Sequence, residues 1–318
     1  MISKDKFKLF IPNIFIVVTI LISLLTIIGY LGKINYIFDL TAHFKRQYLI
    51  VGFCTFFFFL LTRHKVWWII SLCCILLNLM EVVPWYLPPT ASAQAKTTGQ
   101  LRVLLSNVLY SNENYSNVIS FVRKEAPDIA VFVEAGQRWN QELTALKDLL
   151  PYSAIAQDSK RFGTTLYSRF PLESFSIEKF QGPRSTIVAK IKYQGKEVIV
   201  MGTHPNYPVS KIGFIQRNSQ LNAMADYIAK INQPVILMGD FNITMWSPFY
   251  QRFIQESKLK NGRIGFGLQP TWPAFLPFLA IPIDHCFVSQ NIQVINSRTG
   301  DNVGSDHLPI IADLAIGE

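Results

Sequence analysis

Cysteine is scarce in this chain of 318 residues, which contains four. Cys54, Cys73 and Cys74 lie in apolar stretches near the N-terminus, so the remaining sequence contributes Cys286 alone. One thiol excludes an intramolecular disulfide framework for that part of the chain. A sequence of this size folds without such bridges, so the scarcity leaves the cellular compartment open.

The C-terminal two thirds of the chain also lack the basic excess typical of nucleic-acid-binding domains. The net charge is +9, but residues 1–99 contribute nine Lys and Arg against three acids. Residues 100–318 contribute 21 against 18, which leaves +3. The positive charge is therefore largely a feature of the N-terminal segment and says little about a substrate. We find no internal repeat and no low-complexity tract.

Long apolar runs are present near the N-terminus. Residues 9–31 read LFIPNIFIVVTILISLLTIIGYL without a charge, which matches the roughly 20 residues that cross the hydrocarbon layer. A shorter run from Gln47 to Thr62 and a third from Val66 to Leu87 follow, and the second is marginal for a span. A secretory signal peptide is the alternative for the first run, because Lys residues precede it, but the run is too long for one.

The stretch from Pro84 to Gln100 changes to small, polar and Pro-rich residues, as a linker does. We therefore predict a membrane anchor with two or three transmembrane helices at 1–88, a linker at 89–100 and a globular domain at 101–318. Three spans and the positive-inside tendency predict an integral membrane protein whose domain is periplasmic or extracellular.

The globular part alternates short β-strand patterns with a few helices. Strands are predicted around LRVLLSN, DIAVFVEA, TTLYSRF, STIVAKIKY, KEVIVMGTH, PVILMGDFN, IDHCFVS, IQVINS and LPIIADLAI, and helices over 118–124 and 212–231. Many strands with irregularly placed helices favour an α/β sandwich of two packed sheets covered by helices.

Several predicted strands end in a polar residue. These residues are Asn107, Glu134, His204, Asp240 and Asn242, and Asp284, Asp306 and His307 follow near the C-terminus. Strand ends on one side of a sheet converge, so these groups are expected to share one site. Oxygen ligands favour Mg²⁺ or Mn²⁺ over zinc, and a hard cation beside His and Asn indicates phosphate chemistry.

The same residues resemble the endonuclease/exonuclease/phosphatase superfamily. The matching motifs are SN at 106–107, Glu134, GTH at 202–204, GDFN at 239–242, IDH at 283–285 and GSDHLP at 304–309. They occur in the family's order and cover essentially all of residues 100–318, as in a membrane-anchored bacterial-type member. The resemblance implies a deoxyribonuclease I-like, four-layered α/β/β/α sandwich.

The resemblance also implies roles. Glu134 would be the main metal ligand, with Asn107 and Asp306 supporting it. His307, oriented by Asp284, and Asp240 would act on the attacking water, while Asn242 and His204 would contact the scissile phosphate. Arg184 is a candidate substrate contact, and His285 and Cys286 are expected to be structural.

The activity implied is metal-assisted attack of water on phosphorus, that is, a phosphodiesterase, nuclease or phosphatase. Lipid, lipid-linked and nucleic-acid phosphoesters stay open as substrates, beside the bilayer itself as a partner, and no protein partner is evident. Abasic-site endonucleases carry Tyr where this chain has His204, which argues against that branch. A catalytically inactive membrane-bound binding module is the alternative from another class, and it would require a broken site.

One apolar segment, TWPAFLPFLAIP at 271–282, directly precedes Ile283 and Asp284. Its side chains either pack inward beneath the sheet or stay exposed as an apolar lip at the rim of the site. The sequence leaves these two alternatives open.

Overall fold

The computed structural model describes residues 4–88 and 99–317, with side chains from Ile11 onward in the first helix. Most of the predicted linker, residues 89–98, lies outside the described residues, as do the side chains of the N-terminal lysines. The chain divides into two compact units. The first contains Met1–Pro84 and Trp246–Pro248, and the second contains Trp85–Met245 and Phe249–Glu318.

The first unit is helical. Its helices are α1 Lys4–Tyr30, α2 Tyr36–Ala42, α3 Lys45–Leu61 and α4 Lys65–Val82, and a 3₁₀ turn at Val83–Tyr86 extends α4 across the division between the units. Two helical stretches, Ile11–Tyr30 and Lys65–Tyr86, are long and apolar enough to cross a membrane. The pair α2 and α3 forms a third candidate, bent by 63°. The second apolar run of the sequence, Gln47 to Thr62, thus belongs to this bent pair, whereas each of the other two runs lies in one continuous helical stretch.

Polar side chains join the helices of this unit. Thr55 on α3 and Ser71 on α4 share a hydrogen bond of 3.0 Å between their hydroxyl oxygens. The Asn78 amide donates to the Thr26 hydroxyl at 3.0 Å. Such bonds favour helix association in apolar surroundings, so α3 and α4 lie side by side along their length.

The second unit contains two β-sheets. Its strands are β1 Leu101–Asn107, β2 Ile129–Val133, β3 Tyr152–Gln157, β4 Gly163–Ser168, β5 Leu172–Glu178, β6 Thr186–Tyr193, β7 Lys196–Thr203, β8 Val235–Asp240, β9 Lys260–Asn261, β10 Asp284–Val288, β11 Ile292–Thr299 and β12 Ile310–Ile316. The α-helices are α5 Tyr115–Glu125, α6 Gln137–Glu142, α7 Lys211–Ile228 and α8 Pro248–Ser257. Sheet 1 has the order β11-β12-β1-β2-β4-β3, and sheet 2 has the order β5-β6-β7-β8-β10-β9.

The two sheets pack face to face because their inner faces carry the larger apolar core. That core joins Val103 and Val131 of sheet 1 to Val200 and Met238 of sheet 2, and Cys286 is part of it, as predicted. A second core packs the outer face of sheet 1 against α5 and α6. On the outer face of sheet 2, the ring of Phe253 on α8 lies 5.5 Å from that of Phe287 on β10. The predicted four-layered α/β/β/α sandwich is confirmed.

The topology brings particular strand ends to one edge. In sheet 1, β1 and β2 are parallel and β12 is antiparallel to β1, so the C-terminal end of β1 adjoins the start of β12. In sheet 2, β7 and β8 are parallel, and β10 runs antiparallel to β8 with Asp284 opposite Asp240. All predicted site residues therefore lie at the ends of central strands or in the loops that follow or precede them.

Candidate active site

Asn107 connects the two sheets at this edge. Its side-chain nitrogen donates to Glu134 Oε1 at 3.3 Å and to Asp240 Oδ2 at 3.1 Å. Glu134 follows β2 of sheet 1, and Asp240 ends β8 of sheet 2. Asn107 itself is buried, and its side-chain oxygen accepts from the Leu109 backbone at 3.0 Å. One amide thus fixes the distance between carboxylates of different sheets.

Glu134 is held in an uncommon backbone conformation. Its φ angle is +58°, in a region that residues other than glycine seldom adopt. The backbone N–H of Tyr110 donates to Glu134 Oε2 at 3.2 Å. The turn directs the carboxylate toward Asn107 and leaves it half-buried, where it can take a cation as a further partner.

His307 forms the second connection between the sheets. Its Nδ1 donates to Asp284 Oδ2 at 2.8 Å, and its Nε2 lies 3.7 Å from Asp240 Oδ2. All three side chains are buried. The Ser305 hydroxyl accepts from the His307 backbone and donates to the Asn107 carbonyl, so the loop that carries His307 is attached to the end of β1.

Burial and charge control protonation here. Burial and the charge of Asp284 raise the pKa of Asp240 to about 7. Burial alone would lower the pKa of His307, but the charges of Asp284 and Asp240 outweigh it and raise that pKa to about 10. His307 therefore carries a positive charge between two carboxylates, which offsets their mutual repulsion.

His204 and Asn242 lie beside Asp240. His204 Nε2 is 3.6 Å from Asp240 Oδ2, and burial, followed by the charges of Arg184 and His307, lowers the pKa of His204 to about 3. The backbone N–H of Asn242 donates to Asp240 Oδ1 at 2.9 Å, and its side chain donates to the Pro205 carbonyl at 3.1 Å. His204 is thus a neutral imidazole, and Asn242 is the turn residue after β8.

Arg184 lies at the margin of the site. Its guanidinium carbon is 4.2 Å from the ring centroid of Phe162, and its Nε donates to Asn206 at 3.2 Å. After burial, its charge is the next largest cause of the lowered pKa of His204. Arg184 is half-buried.

Asp306 has one satisfied and one unsatisfied oxygen. Its Oδ2 accepts from the Trp272 indole at 3.0 Å, whereas its buried Oδ1 has no hydrogen-bond partner among the described residues. Asp284 Oδ1 is in the same state. Unsatisfied buried carboxylate oxygens are costly, and a divalent cation is the kind of group that satisfies them.

Two candidate groupings of metal ligands result. The predicted set is Asn107, Glu134 and Asp306, and its donor atoms are oxygens. Among the described residues, ligand atoms of Asp240, Asp284 and His307 also lie within 4.8 Å of one another. In this second group, however, His307 Nδ1 and Asp284 Oδ2 already hydrogen-bond to each other, which favours a proton-transfer role for the pair.

Three residues that support the site were not predicted from the sequence. Arg217 on α7 is buried and donates to the Asn242 carbonyl at 3.0 Å. Arg263 is buried and donates to the carbonyls of Leu268 and Asp284. Trp272 was noted only as part of the apolar segment. No motif marks the two arginines, since an isolated Arg in a sequence looks like a surface residue.

His285 is structural, as predicted, and follows Asp284 on β10, so its side chain points to the opposite face of that strand. Its Nε2 is 2.8 Å from the Ile243 carbonyl and its Nδ1 is 2.9 Å from the Asn261 amide. Its ring packs against Phe287 at 5.0 Å. Burial lowers its pKa well below the ordinary value, so it is a neutral structural histidine.

Comparison with solved structures supports the fold. An endonuclease/exonuclease/phosphatase from Beutenbergia cavernae is 21% identical, with a TM-score of 0.56 over 69% of this chain and 72% of that chain. The human Nocturnin catalytic domain with bound sulfate anion is 17% identical, with a TM-score of 0.60 over 68% and 94%. D. rerio TDP2 complexed with single strand DNA product is 15% identical, with a TM-score of 0.57 over 68% and 99%.

A search of curated proteins gave no match. A sequence model of the Endonuclease/Exonuclease/phosphatase family matches residues 104–307, which is more than half of the chain and includes every predicted site residue. The chain therefore belongs to the endonuclease/exonuclease/phosphatase family.

Proposed function

We propose that residues 101–318 form the catalytic domain of a membrane-anchored, Mg²⁺- or Mn²⁺-dependent phosphodiesterase. Proteins of this family hydrolyse phosphodiester bonds. The observation that carries the proposal is the pair of hydrogen bonds between the sheets, Asn107 to Asp240 and His307 to Asp284. They hold Asp240, Asp284 and His307 together at the edge where the sheets meet, and Asn107 also donates to Glu134.

Glu134, Asn107 and Asp306 would hold the cation. Their donors are oxygens, and Asp306 Oδ1 lacks another partner among the described residues. When bound, the cation neutralises charge that develops on the phosphate oxygens. The carboxylates also set the choice of metal, because hard oxygen ligands suit Mg²⁺ and Mn²⁺.

The Asp240–His307 pair would take the proton of the attacking water. A water oxygen forms a bond to phosphorus, the bond from phosphorus to the leaving oxygen breaks, and the water's proton passes to this pair. The same pair gives up a proton to the leaving oxygen, which completes the hydrolysis and restores the pair. Asp284 keeps the His307 ring oriented through its hydrogen bond to Nδ1, and a fixed orientation of this kind is what proton transfer requires.

Asn242, His204 and Arg184 would contact the phosphate. Asn242 and His204 lie directly beside Asp240, and Arg184 adds a cation at the margin. Donors fixed in place before the reaction stabilise the negative charge of the transition state. Because all these positions carry suitable side chains, an inactive binding module is the weaker alternative.

Replacing Asp284 with Asn should lower kcat by about a hundredfold or more with little change in KM, because the amide no longer holds the protonated ring. Steady-state kinetics on bis(p-nitrophenyl) phosphate measure this. Asp301→Asn, which removes a surface ion pair with Lys124, is the matched control. An unchanged kcat in Asp284→Asn would contradict the proposal that Asp284 orients His307 for proton transfer.

Removal of divalent cations with EDTA should abolish hydrolysis, and Mg²⁺ or Mn²⁺ should restore it. Replacing Glu134 with Gln should raise the Mg²⁺ concentration for half-maximal rate at least about tenfold, because a carboxylate ligand is lost. Glu173→Gln, on the exposed face of β5, should behave as the wild type. Full activity in excess EDTA is incompatible with the proposal.

For topology, we propose an anchor at 1–88, a linker at 89–100 and three membrane crossings. The support is that α3 and α4 are antiparallel, joined by a short turn and bonded through Thr55 and Ser71. A helix packed along a span shares its membrane depth. Arg63 and Lys65 would be cytoplasmic together with the N-terminus, although Lys33 in the first loop and Lys45 and Arg46 at the start of α3 oppose this bias. The catalytic domain would then be periplasmic or extracellular.

Protease added to spheroplasts should therefore degrade residues 101–318 while a cytoplasmic marker protein stays intact. The reason is that the protease reaches a periplasmic or extracellular domain in spheroplasts. Immunoblotting of the domain before and after lysis measures it. Protection in spheroplasts combined with degradation after lysis would place the domain in the cytoplasm.

A further inference from the structure

A group of four apolar side chains is exposed beside the site. Phe275, Leu276, Phe278 and Leu279, which we call the apolar lip, have exposed fractions of 69%, 46%, 80% and 51%. The sequence left open whether this segment packs inward, and the structure places these side chains outward. Contiguous exposed apolar groups of this kind mark interaction surfaces.

The base of the lip is fixed. Trp272 and Ile281 exchange backbone hydrogen bonds of 3.1 and 2.6 Å, and the Thr271 N–H also donates to the Ile281 carbonyl. Ala280, Ile281 and Ile283 are buried, so the segment is anchored at both ends while its tip is exposed. The four side chains of the lip are therefore exposed at the tip of a hairpin-like loop whose two ends are held in place.

The lip is attached to the loop that carries Asp306 and His307. The Ala274 N–H donates to the Asp306 carbonyl at 2.8 Å, and the Leu308 N–H donates to the Thr271 carbonyl at 3.0 Å. The Trp272 indole donates to the Asp306 carboxylate. A surface bound by the lip is thereby held at a fixed distance from the proposed metal and proton-transfer groups.

The first residue of the second unit contacts the loop that precedes the lip. Trp85 and Tyr86 end the span Lys65–Tyr86 and belong to the second unit. The Trp85 carbonyl accepts from the backbones of Gly265 and Gly267 at 3.1 and 2.9 Å. The loop that precedes the lip is therefore bonded to Trp85, where the second unit begins.

Charge argues for lipid over nucleic acid as the occupant of this surface. Residues 271–282 contain no charged side chain, and residues 100–318 have a net charge of +3. Binding to nucleic acid derives its affinity from many cationic contacts with phosphates. Apolar and aromatic side chains instead partition into the interfacial region of a bilayer.

We propose that the apolar lip enters the lipid bilayer and presents a membrane-borne phosphodiester, with its phosphate at the headgroup level, to the site. This proposal rests on the proposed function for its substrate class. The lip's contact with the bilayer is independent of turnover. The two parts are tested separately.

The contact is tested with spin labels on the full chain in vesicles of phosphatidylethanolamine and phosphatidylglycerol. Labels are attached at Phe275→Cys and at the control Phe175→Cys, which is similarly exposed on β5, after the exposed Cys54 and Cys73 are replaced by Ser. At position 275, collision with oxygen should exceed collision with a water-soluble nickel chelate, and position 175 should show the reverse. Water-like accessibility at 275 would overturn the proposal whether or not the protein is an active enzyme.

The substrate class is tested with two p-nitrophenyl phosphodiesters, one attached to diacylglycerol in the vesicles and one soluble, bis(p-nitrophenyl) phosphate. Phe275→Ser combined with Leu279→Ser should lower hydrolysis of the lipid at least about tenfold, because two membrane-inserted groups are lost, while the soluble substrate is cleaved at the wild-type rate. Phe175→Ser combined with Ile177→Ser is the matched control and should leave both rates unchanged.

Equal losses on both substrates, or DNA cleavage by the unaltered chain without lipid hydrolysis, would overturn the substrate class. If the unaltered chain cleaves neither p-nitrophenyl substrate, the proposed function itself fails, and with it the substrate class. The spin-label result then still decides whether the lip contacts the bilayer.

Discussion

Two buried carboxylates, Asp240 and Asp284, lie opposite each other on adjacent strands of sheet 2. Like charges in such a position repel each other and are poorly solvated, so they require compensation nearby. Sheet 1 supplies it, through the amide of Asn107 and the imidazole of His307. The hydrogen bonds that arrange the site therefore also join the two sheets at this edge.

The need to keep these charged groups in place explains why so many hydrogen bonds fix the backbone around the site. Arg217 holds the carbonyl of Asn242, Arg263 holds the carbonyl of Asp284, and Ser305 ties the His307 loop to β1. Each contact fixes the backbone that carries a functional side chain. A site held in this way has its donors oriented before the substrate arrives, which is the main source of electrostatic catalysis.

Much of the fold is predictable from the sequence because the central strands are continuous apolar runs that end in a polar residue. Asp240 after VILMG and Glu134 after AVFV are examples. Strand β5 was missed because its side chains are mostly exposed at a sheet edge, so it has no apolar run. α6 is short and has a single buried residue, Trp139, which gives no helical periodicity.

The site was predicted as a set of residues, but its contacts were not. That Asn107 donates to carboxylates of both sheets depends on how the sheets pack, which no local pattern encodes. The sequence does not mark the buried arginines either, since Arg217 and Arg263 bond the carbonyls of Asn242 and Asp284 only in the folded chain. The lip shows the same limit: its apolar composition is evident in the sequence, but whether the side chains face inward or outward is a tertiary property.

We propose above all that Asp240, held between Asn107 and His307, belongs to a phosphodiester-hydrolysing centre. The most direct measurement is the turnover of bis(p-nitrophenyl) phosphate with Mg²⁺ by the purified full chain and by its Asp240→Ala variant, with folding checked by circular dichroism. We predict measurable turnover by the wild type and a loss of about a hundredfold or more in the variant, with unchanged spectra. Equal turnover by two equally folded proteins would contradict a catalytic role for Asp240.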